Sequence, residues 1–385
     1  MKNLANKVQQ ASCIVIKIGS ALLVDADTGR VRSHWIESLA KDITLLKSDG
    51  KQVVLVSSGS IAIGREILNL ASNMIKLEEK QAAAAVGQGK LVQFWAHYLA
   101  QHKITAAQIL LAPDDTETRR RHLNARATIK TLLNLGVVPV VNENDTVTTY
   151  EIRFGDNDRL AARVAGMISA DLVILLSDID GLYNTDPSLD PKATHIEEVN
   201  EITETILAMG GSANASFASG GMATKLAAGQ IATSAGADMI ICDGRHEQPL
   251  KRLLDGARAT FFHSSIEPHT ARKKWIAGTL ELAGSVTIDT GASKAISEGK
   301  SLLPAGITSV SGRFVRGDII SVRDSANHEI ARGLSNYSHL EANQLKGRKS
   351  ASFESIVGFQ GRAELIHADD LVMMNLSRED NETSK

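Results

Sequence analysis

At 385 residues, with 43% hydrophobic and 22% charged side chains, the chain is long enough for two or three domains and for a sizeable buried core. A formal net charge of -2 and a pI near 6.6 supply no global attraction to nucleic acid or to an anionic membrane. Its two cysteines, Cys13 and Cys242, each lie in an apolar, strand-like run, which argues against a disulfide framework and for a reducing, cytoplasmic setting. MKNLANKVQQ lacks the apolar core of a signal peptide, and no window reaches the roughly 20 apolar residues of a membrane span.

The first apolar run, SCIVIKI (12–18), predicts a strand that ends at Gly19-Ser20. Lys17 inside it is costly to bury unless an anion meets it, although a lysine snorkelling from a sheet edge fits the same pattern. HWIESLAKDITLLKSDG follows with helical spacing and a terminal glycine suited to a helix C-cap. QVVLVSS (52–58) predicts a second strand, and Ser57, Ser58 and Gly59 then precede a helix. Unpaired N–H groups at such a terminus attract carboxylate or phosphate; a plain serine N-cap is the alternative. A third strand, KITAAQILL (103–111), is followed by RRRH (119–122) in a helix-like segment, which reads as a solvated or subunit-contacting face.

GVVPVV (136–141) runs directly into VNENDTVTTYEIRFGDNDRL, where Asn142, Glu143, Asn144, Asp145, Asp156, Asn157 and Asp158 fall within seventeen positions, ahead of the helix-like RLAARVAGMI. Ordinary loops do not need that density of acids and amides. DLVILLS (171–177) leads into SDIDGLYNTDP, whose place beyond a parallel strand favours a nucleotide-contacting loop over a solvated turn built on its Asp-Gly and Asp-Pro pairs. In SANASFASGGMATKLAAGQIA a Ser/Gly-rich loop precedes an amphipathic helix with Lys225 in its first turn. The spacing is not that of a Walker A loop, yet the same physics suits phosphate, and a surface loop is the alternative. DMIIC (238–242) is the last run of this kind.

This β-α alternation with near-continuously apolar strands predicts an α/β fold, a mostly parallel sheet sandwiched by helices, with ligands at the carboxyl ends of its strands. We expect an α/β catalytic domain over 1–264 and a linker, IEPHTARKKWIAGTL, over 265–280. A small β-rich domain follows over 281–371, where short strands GSVTID, GITSVSGRF, GDIISVRD and HEIARGLSNY alternate with turns, and 372–385 form a polar tail.

The ordered set VIKIGS, SSGSIAIGRE, VNENDTV, FGDNDRLAA, LLSDIDGLY and SGGMATK closely resembles the glutamate-phosphorylating members of the amino acid kinase family. EGKSLLPAGITSVSG and FVRGDII resemble the PUA domain attached to many bacterial members, so the resemblance covers roughly residues 12–371. Ser177 departs from the threonine expected before the aspartate but keeps the hydroxyl. The resemblance implies that Lys17 and Lys225 contact the transferring phosphoryl group while Asp158 lies between them and holds their ammonium groups. It assigns Ser58, Asp145 and Asn157 to glutamate, and Lys17, Ser177, Asp178, Ser219, Gly220, Gly221, Met222, Ala223, Thr224 and Lys225 to ATP. Glu143 and Asp156 are left as caps or loop supports.

The implied reaction is ATP plus L-glutamate giving ADP and L-glutamate 5-phosphate, the first step of proline synthesis, with Mg2+ carried by the nucleotide. A γ-carboxylate, with a reference pKa of about 4.3, is already ionised at neutral pH and needs no general base, so positioning and fixed positive charge carry the catalysis. The resemblance also implies a homo-oligomer (dimer or tetramer), feedback by proline and a glutamate 5-phosphate reductase as partner. Acetylglutamate, carbamate and uridylate kinases share the sheet and lysines, but the paired acidic motifs at 142–145 and 155–158 with a β appendage speak against them. The PUA resemblance raises RNA binding; residues 281–371 hold ten Lys/Arg against eleven Asp/Glu, which is no basic footprint.

Overall fold

The structure is a computed structural model that describes residues 2–25, 30–70, 76–147, 156–211, 221–278, 282–348, 353–358 and 361–374. The chain forms two compact units, Met1–Pro268 and His269–Lys385. No helix among the described residues is long and apolar enough to cross a membrane.

In the first unit the strands are β1 (Cys13–Ile18), β2 (Gln52–Ser57), β3 (Ala106–Leu111), β4 (Val138–Glu143), β5 (Leu172–Ser177), β6 (Leu182–Tyr183), β7 (His195–Ile196), β8 (Glu198–Val199), β9 (Asp238–Asp243) and β10 (Ala259–Phe262). β6 and β7 form a small ribbon, and the rest make one sheet in the order β3-β4-β2-β1-β5-β9-β10-β8. Every pairing in that sheet is parallel except the antiparallel β9–β10 pair. Lys17 stands opposite Val56 on one side and Leu175 on the other, so β2, β1 and β5 end nearly level.

The β-branched runs bury both faces of this sheet, and side-chain alternation divides the core in two. Ile14, Ile16, Val53 and Leu55 face one layer with Trp35 and Leu39 of the Ser33–Ser48 helix and Leu91 and Trp95 of the Leu77–Ala100 helix. Cys13, Val15, Val54 and Val173 face the other, against Leu160 and Val164 of the Asn157–Ile168 helix and Leu226 and Ala232 of the Met222–Ser234 helix. Lys17 continues the Cys13, Val15 alternation, so it is directed towards the second layer.

Two strands begin later than the apolar runs suggest. β3 starts at Ala106 because Lys103, at φ 60, closes the preceding helix through its bond to Ala100. β4 starts at Val138, after Gly136 at φ 77 closes the Arg119–Asn134 helix, and it pairs on through Asn142 and Glu143 opposite Leu110 and Leu111. The first residues of the acid- and amide-rich stretch are therefore held by the sheet itself.

The second unit contains β11 (Gly284–Ile288), β12 (Ile307–Gly312), β13 (Ile319–Arg323), β14 (Glu329–Leu334) and β15 (Leu371–Met373), in the order β12-β11-β13-β14-β15. It has a core of its own around Val286, Phe314, Val322, Tyr337 and Leu365. Within the segment read as a linker, Pro268–Ala277 is a helix that starts on a proline, a residue pre-set for the first helical turn. Arg332 donates to the Ala277 carbonyl at 2.9 Å, tying the end of this helix to β14.

Candidate active site

The carboxyl ends of β1, β2, β4 and β5 open into one cleft of about 570 Å³ lined by, among others, Lys17, Ser58, Asp145, Asn157, Ser177, Asp178 and Lys225. A second hollow of about 490 Å³ is lined by Ile179, Asp180, Asp186, Met222 and Arg245 and shares Asp178 and Lys225 with the first. The residues expected to hold glutamate line the first space, and Met222 of those expected to hold nucleotide lines the second. Their shared wall is where two reactants can meet.

At that wall Asp158 is fully buried, with Lys17 Nζ 2.6 Å from Oδ1 and Lys225 Nζ 3.3 Å from Oδ2. β1 lies between β2 and β5 and Lys17 is only 7% exposed, so the snorkelling alternative does not apply. Lys225 is 4% exposed. Asp158 sits in the first turn of its helix, where the N-terminal dipole adds to its stabilisation as an anion. Burial pushes its carboxyl upward, but the two ammonium groups outweigh burial and hold it below the usual carboxylate range. The trio carries a net positive charge in a place largely shut from water.

Thr224 is turned inward: its hydroxyl lies 3.2 Å from Asp158 Oδ2 and 2.7 Å from the Gly221 carbonyl, and its single proton serves one at a time. Gly221 is the N-cap of the Met222–Ser234 helix and makes no side-chain cap, and Ala223 is half-buried in the first turn. Ser219 and Gly220 lie outside the described residues. At the end of β5 the buried Ser177 hydroxyl donates to Asp178 Oδ1 at 3.0 Å.

On the other side of the cleft, Asn157 Nδ2 donates to Ser58 Oγ at 2.7 Å and to Asn142 Oδ1 at 2.9 Å. Ser60 Oγ lies 3.4 Å from Asp145 Oδ2. The Ser60–Ile67 helix takes Gly59 as its N-cap, at φ 104 and with no side-chain cap, so the serine-cap alternative is not what forms. A side chain at that φ would be strained, and glycine leaves the helix N–H groups facing the cleft bare.

Asp156 is a cap, as expected: Oδ1 accepts from the Arg159 N–H at 2.9 Å. Burial first, and neighbouring Asp158 as well, push its carboxyl up against the pull of that bond. Asp186 accepts from the Ser188 N–H and hydroxyl, the solvated-turn geometry, whereas Asp180 is held by Tyr183 OH at 2.8 Å and by Arg258 at 3.6 Å. Of RRRH, Arg121 makes exposed contacts to Asp114 and Asp115, as on a solvated face.

Sequence reasoning missed the support behind the cleft. Gln88, Ser60, Arg65 and Arg245 went unassigned, and Asn142 was counted but given no role. The available signal was the pair Gly64 and Gly87: a Cβ on Gly64 would lie 1.8 Å from the Ala83 carbonyl, and one on Gly87 1.8 Å from that of Ser60. Two helices meeting backbone to backbone must fix what lies at their crossing.

The sequence has known counterparts. Residues 12–243 match the amino acid kinase family, and residues 284–357 match the PUA domain. The chain belongs to the amino acid kinase family. It carries that family's fold in its first unit and a PUA domain in its second. Among the relatives of this amino acid kinase, the glutamate 5-kinase of Paramagnetospirillum magneticum is 55% identical over 363 residues, 94% of this chain and 98% of that one. That of Sinorhizobium fredii is 56% identical over 94% of this chain and 91% of its own, and that of Rhizobium etli 55% over 97% and 95%.

Proposed function

We propose that this amino acid kinase transfers the γ-phosphoryl group of ATP to the γ-carboxylate of L-glutamate. The observation that carries the reading is the Lys17–Asp158–Lys225 trio, in which the buried Asp158 joins Lys17, lining a first cavity with amides and acids for an amino acid, to Lys225, lining both that cavity and a second rimmed by a helix terminus and β5 loop for a nucleotide. Relatives named glutamate 5-kinase at 55% identity support the same substrate pair.

In this reading a γ-carboxylate oxygen attacks the γ-phosphorus, the bond from phosphorus to the β,γ-bridging oxygen breaks, and ADP departs with that electron pair, leaving an acyl phosphate. No proton moves, so no base is required at neutral pH. Repulsion between the carboxylate and the polyphosphate opposes the step, and the two ammonium groups, fixed in place by Asp158, offset it most strongly in the transition state, where charge builds on the transferring group and the leaving oxygen. Asp145 holds the substrate ammonium, while Ser58 and Asn157 orient a carboxylate. Ser177, Asp178 and the 219–225 segment hold the nucleotide. Magnesium enters as the counter-ion of the nucleotide's phosphates, a hard cation that prefers phosphate oxygens and water.

The wider reading rests on resemblance: a cytoplasmic homo-oligomer, inhibited by proline, that delivers a labile acyl phosphate to a reductase. The decisive experiment offers ATP, magnesium and hydroxylamine with glutamate, N-acetylglutamate, carbamate or UMP. Hydroxamate from glutamate alone is expected; product only with another acceptor would overturn the assignment.

A further inference from the structure

Behind the acceptor side of the cleft lies a chain of side-chain hydrogen bonds whose origin is Gln88. Asn142 Nδ2 donates to Gln88 Oε1 at 2.7 Å and to Ser60 Oγ at 3.2 Å. Its Oδ1 accepts from Asn157 Nδ2 at 2.9 Å, and Asn157 Nδ2 also reaches Ser58 Oγ at 2.7 Å. Ser60 Oγ in turn reaches Asp145 Oδ2 at 3.4 Å. One amide, Asn142, 2% exposed, is thus the branch point between Ser58–Asn157 on one arm and Ser60–Asp145 on the other.

An amide has a donor end and an acceptor end, and only its partners decide which way it faces. We infer that Gln88 is a positioning residue for the acceptor substrate, acting through the orientation of Asn142. With Gln88 Oε1 as acceptor, Asn142 must turn Nδ2 towards the Leu77–Ala100 helix and present Oδ1 to Asn157. Reversed while Gln88 and Asn157 keep their present orientations, Asn142 would set its Oδ1 against Gln88 Oε1 and its NH₂ against that of Asn157, like ends facing at both contacts. The inference rests on the functional reading above, since it names what keeps the glutamate-holding groups in place.

Gln88 is well placed for this task. It is 7% exposed, and its Nε2 finds no protein partner among the described residues, so the side chain is kept in the interior with half its hydrogen-bonding capacity unused. An unsatisfied buried donor is destabilising. A purely structural position would be better filled by leucine or methionine. The backbone contact of Gly87 with Ser60 and of Gly64 with Ala83 locks the two helices at this turn, which fixes the distance from Gln88 to the cleft.

The test compares Gln88→Met, of similar length but without the acceptor, with Gln88→Glu, which keeps an acceptor oxygen at the same reach. For Gln88→Met we expect the glutamate KM to rise about tenfold, the size of one lost hydrogen bond, with ATP KM and kcat changed less than about threefold. Gln88→Glu restores most of the glutamate KM. Should Gln88→Met fail to fold, Gln88→Asn, whose amide is one methylene short, takes its place with the same expectation.

A second readout needs no turnover: the side-chain NH₂ signals of Asn142 and Asn157 exchange slowly with solvent in the parent chain and rapidly in Gln88→Met, as seen by 15N NMR. A glutamate KM within twofold of the parent, a parallel rise in ATP KM, or NH₂ signals equally slow in Gln88→Met would each overturn the inference. If the parent forms no hydroxamate from glutamate, the functional reading falls instead, and the NH₂ exchange still decides whether Gln88 orients Asn142.

Discussion

The two units bury their polar groups in different ways. In the first, Lys17, Asp158 and Lys225 are charged, nearly inaccessible and gathered at the mouth of a cleft. In the second, the buried polar side chains among the described residues are Ser321, Ser335 and Asp370. The two serines are satisfied close by, Ser321 by Glu329 at 2.7 Å and Ser335 by the Tyr337 carbonyl at 2.6 Å. A serine tied to a near neighbour needs only a stable fold to explain it. A buried trio with excess positive charge weakens the fold and needs a ligand to explain it. From this contrast we propose that the chemistry lies in the first unit.

The largest effects test that placement. Lys17→Ala and Lys225→Ala should each lower kcat by about 10² to 10³, comparable to loss of an oxyanion-hole donor, with smaller changes in glutamate KM. Asp158→Ala should lower kcat similarly and also destabilise the chain by about 3–5 kcal/mol, because it strands two buried ammonium groups. Steady-state kinetics with urea unfolding separates the cases. Near-normal kcat in either folded lysine variant would move the chemistry elsewhere.

A smaller effect is expected at the acceptor end. Asp145→Ala should raise glutamate KM about 10- to 100-fold by removing the ammonium's charged partner, while ATP KM stays near its starting value. If kcat fell and KM held, Asp145 would belong with the lysines and not with the substrate amine.

What the sequence made legible follows from the range over which each signal acts. β1, β2 and β5 could be read because burial on both faces forces an unbroken apolar run, and Lys17 stood out as the exception within one. The site residues could be placed at strand ends because a parallel sheet puts its loops there. The pairing of Asp158 with Lys17 and Lys225 was supplied by resemblance, since these residues are distant in sequence and meet only when β1 and two helices pack. Gln88 was illegible for the same reason: a glutamine in AAVGQGK looks like any helix surface until Gly87 meets Ser60. β6 to β8 are two residues each, too short for any period to appear, and β10 escaped as a four-residue run.

Acid–base linkage separates function from scaffold within the first unit. Asp42 is buried beneath the Pro249–Leu254 helix, and one oxygen accepts N–H groups of Leu250 and Lys251 at 2.8 and 3.3 Å. Its other oxygen has no partner among the described residues, and burial pushes its carboxyl up to about 6. The native state then holds a proton that the unfolded chain has lost, so this residue's contribution is fully present below about pH 4 and is lost as pH rises through about 6. Asp158, held low, acts in the opposite sense, with stability present above the ordinary carboxylate range and lost on acidification. Asp42→Asn should flatten stability between pH 4 and pH 6 and leave kcat unchanged, as urea titrations across that range would show. A slope unchanged by the substitution would assign it to other carboxylates.

Only a small effect on phosphoryl transfer is expected from the largest deletion. Every residue assigned to the reaction lies before Pro268, and the parallel sheet is complete by β10. The linker read from the sequence over 265–280 would put a cut near Gly278, but the Pro268–Ala277 helix falls almost wholly in the second unit, buries Ile276 and accepts from Arg332 at Ala277. A chain ending at Gly278 would keep that helix without the β14 residue that holds its end, whereas one ending at Pro268 keeps what Gly236 packs against and nothing further. We therefore expect the 1–268 chain to fold and to retain glutamate-dependent hydroxamate formation within about threefold in kcat, since an independent core implies a separable domain. Its response to proline, magnesium dependence and sedimentation are where the PUA domain's contribution should appear. A folded 1–268 chain with no transfer would mean that the second unit completes the cleft, and the division drawn from buried charge would be wrong.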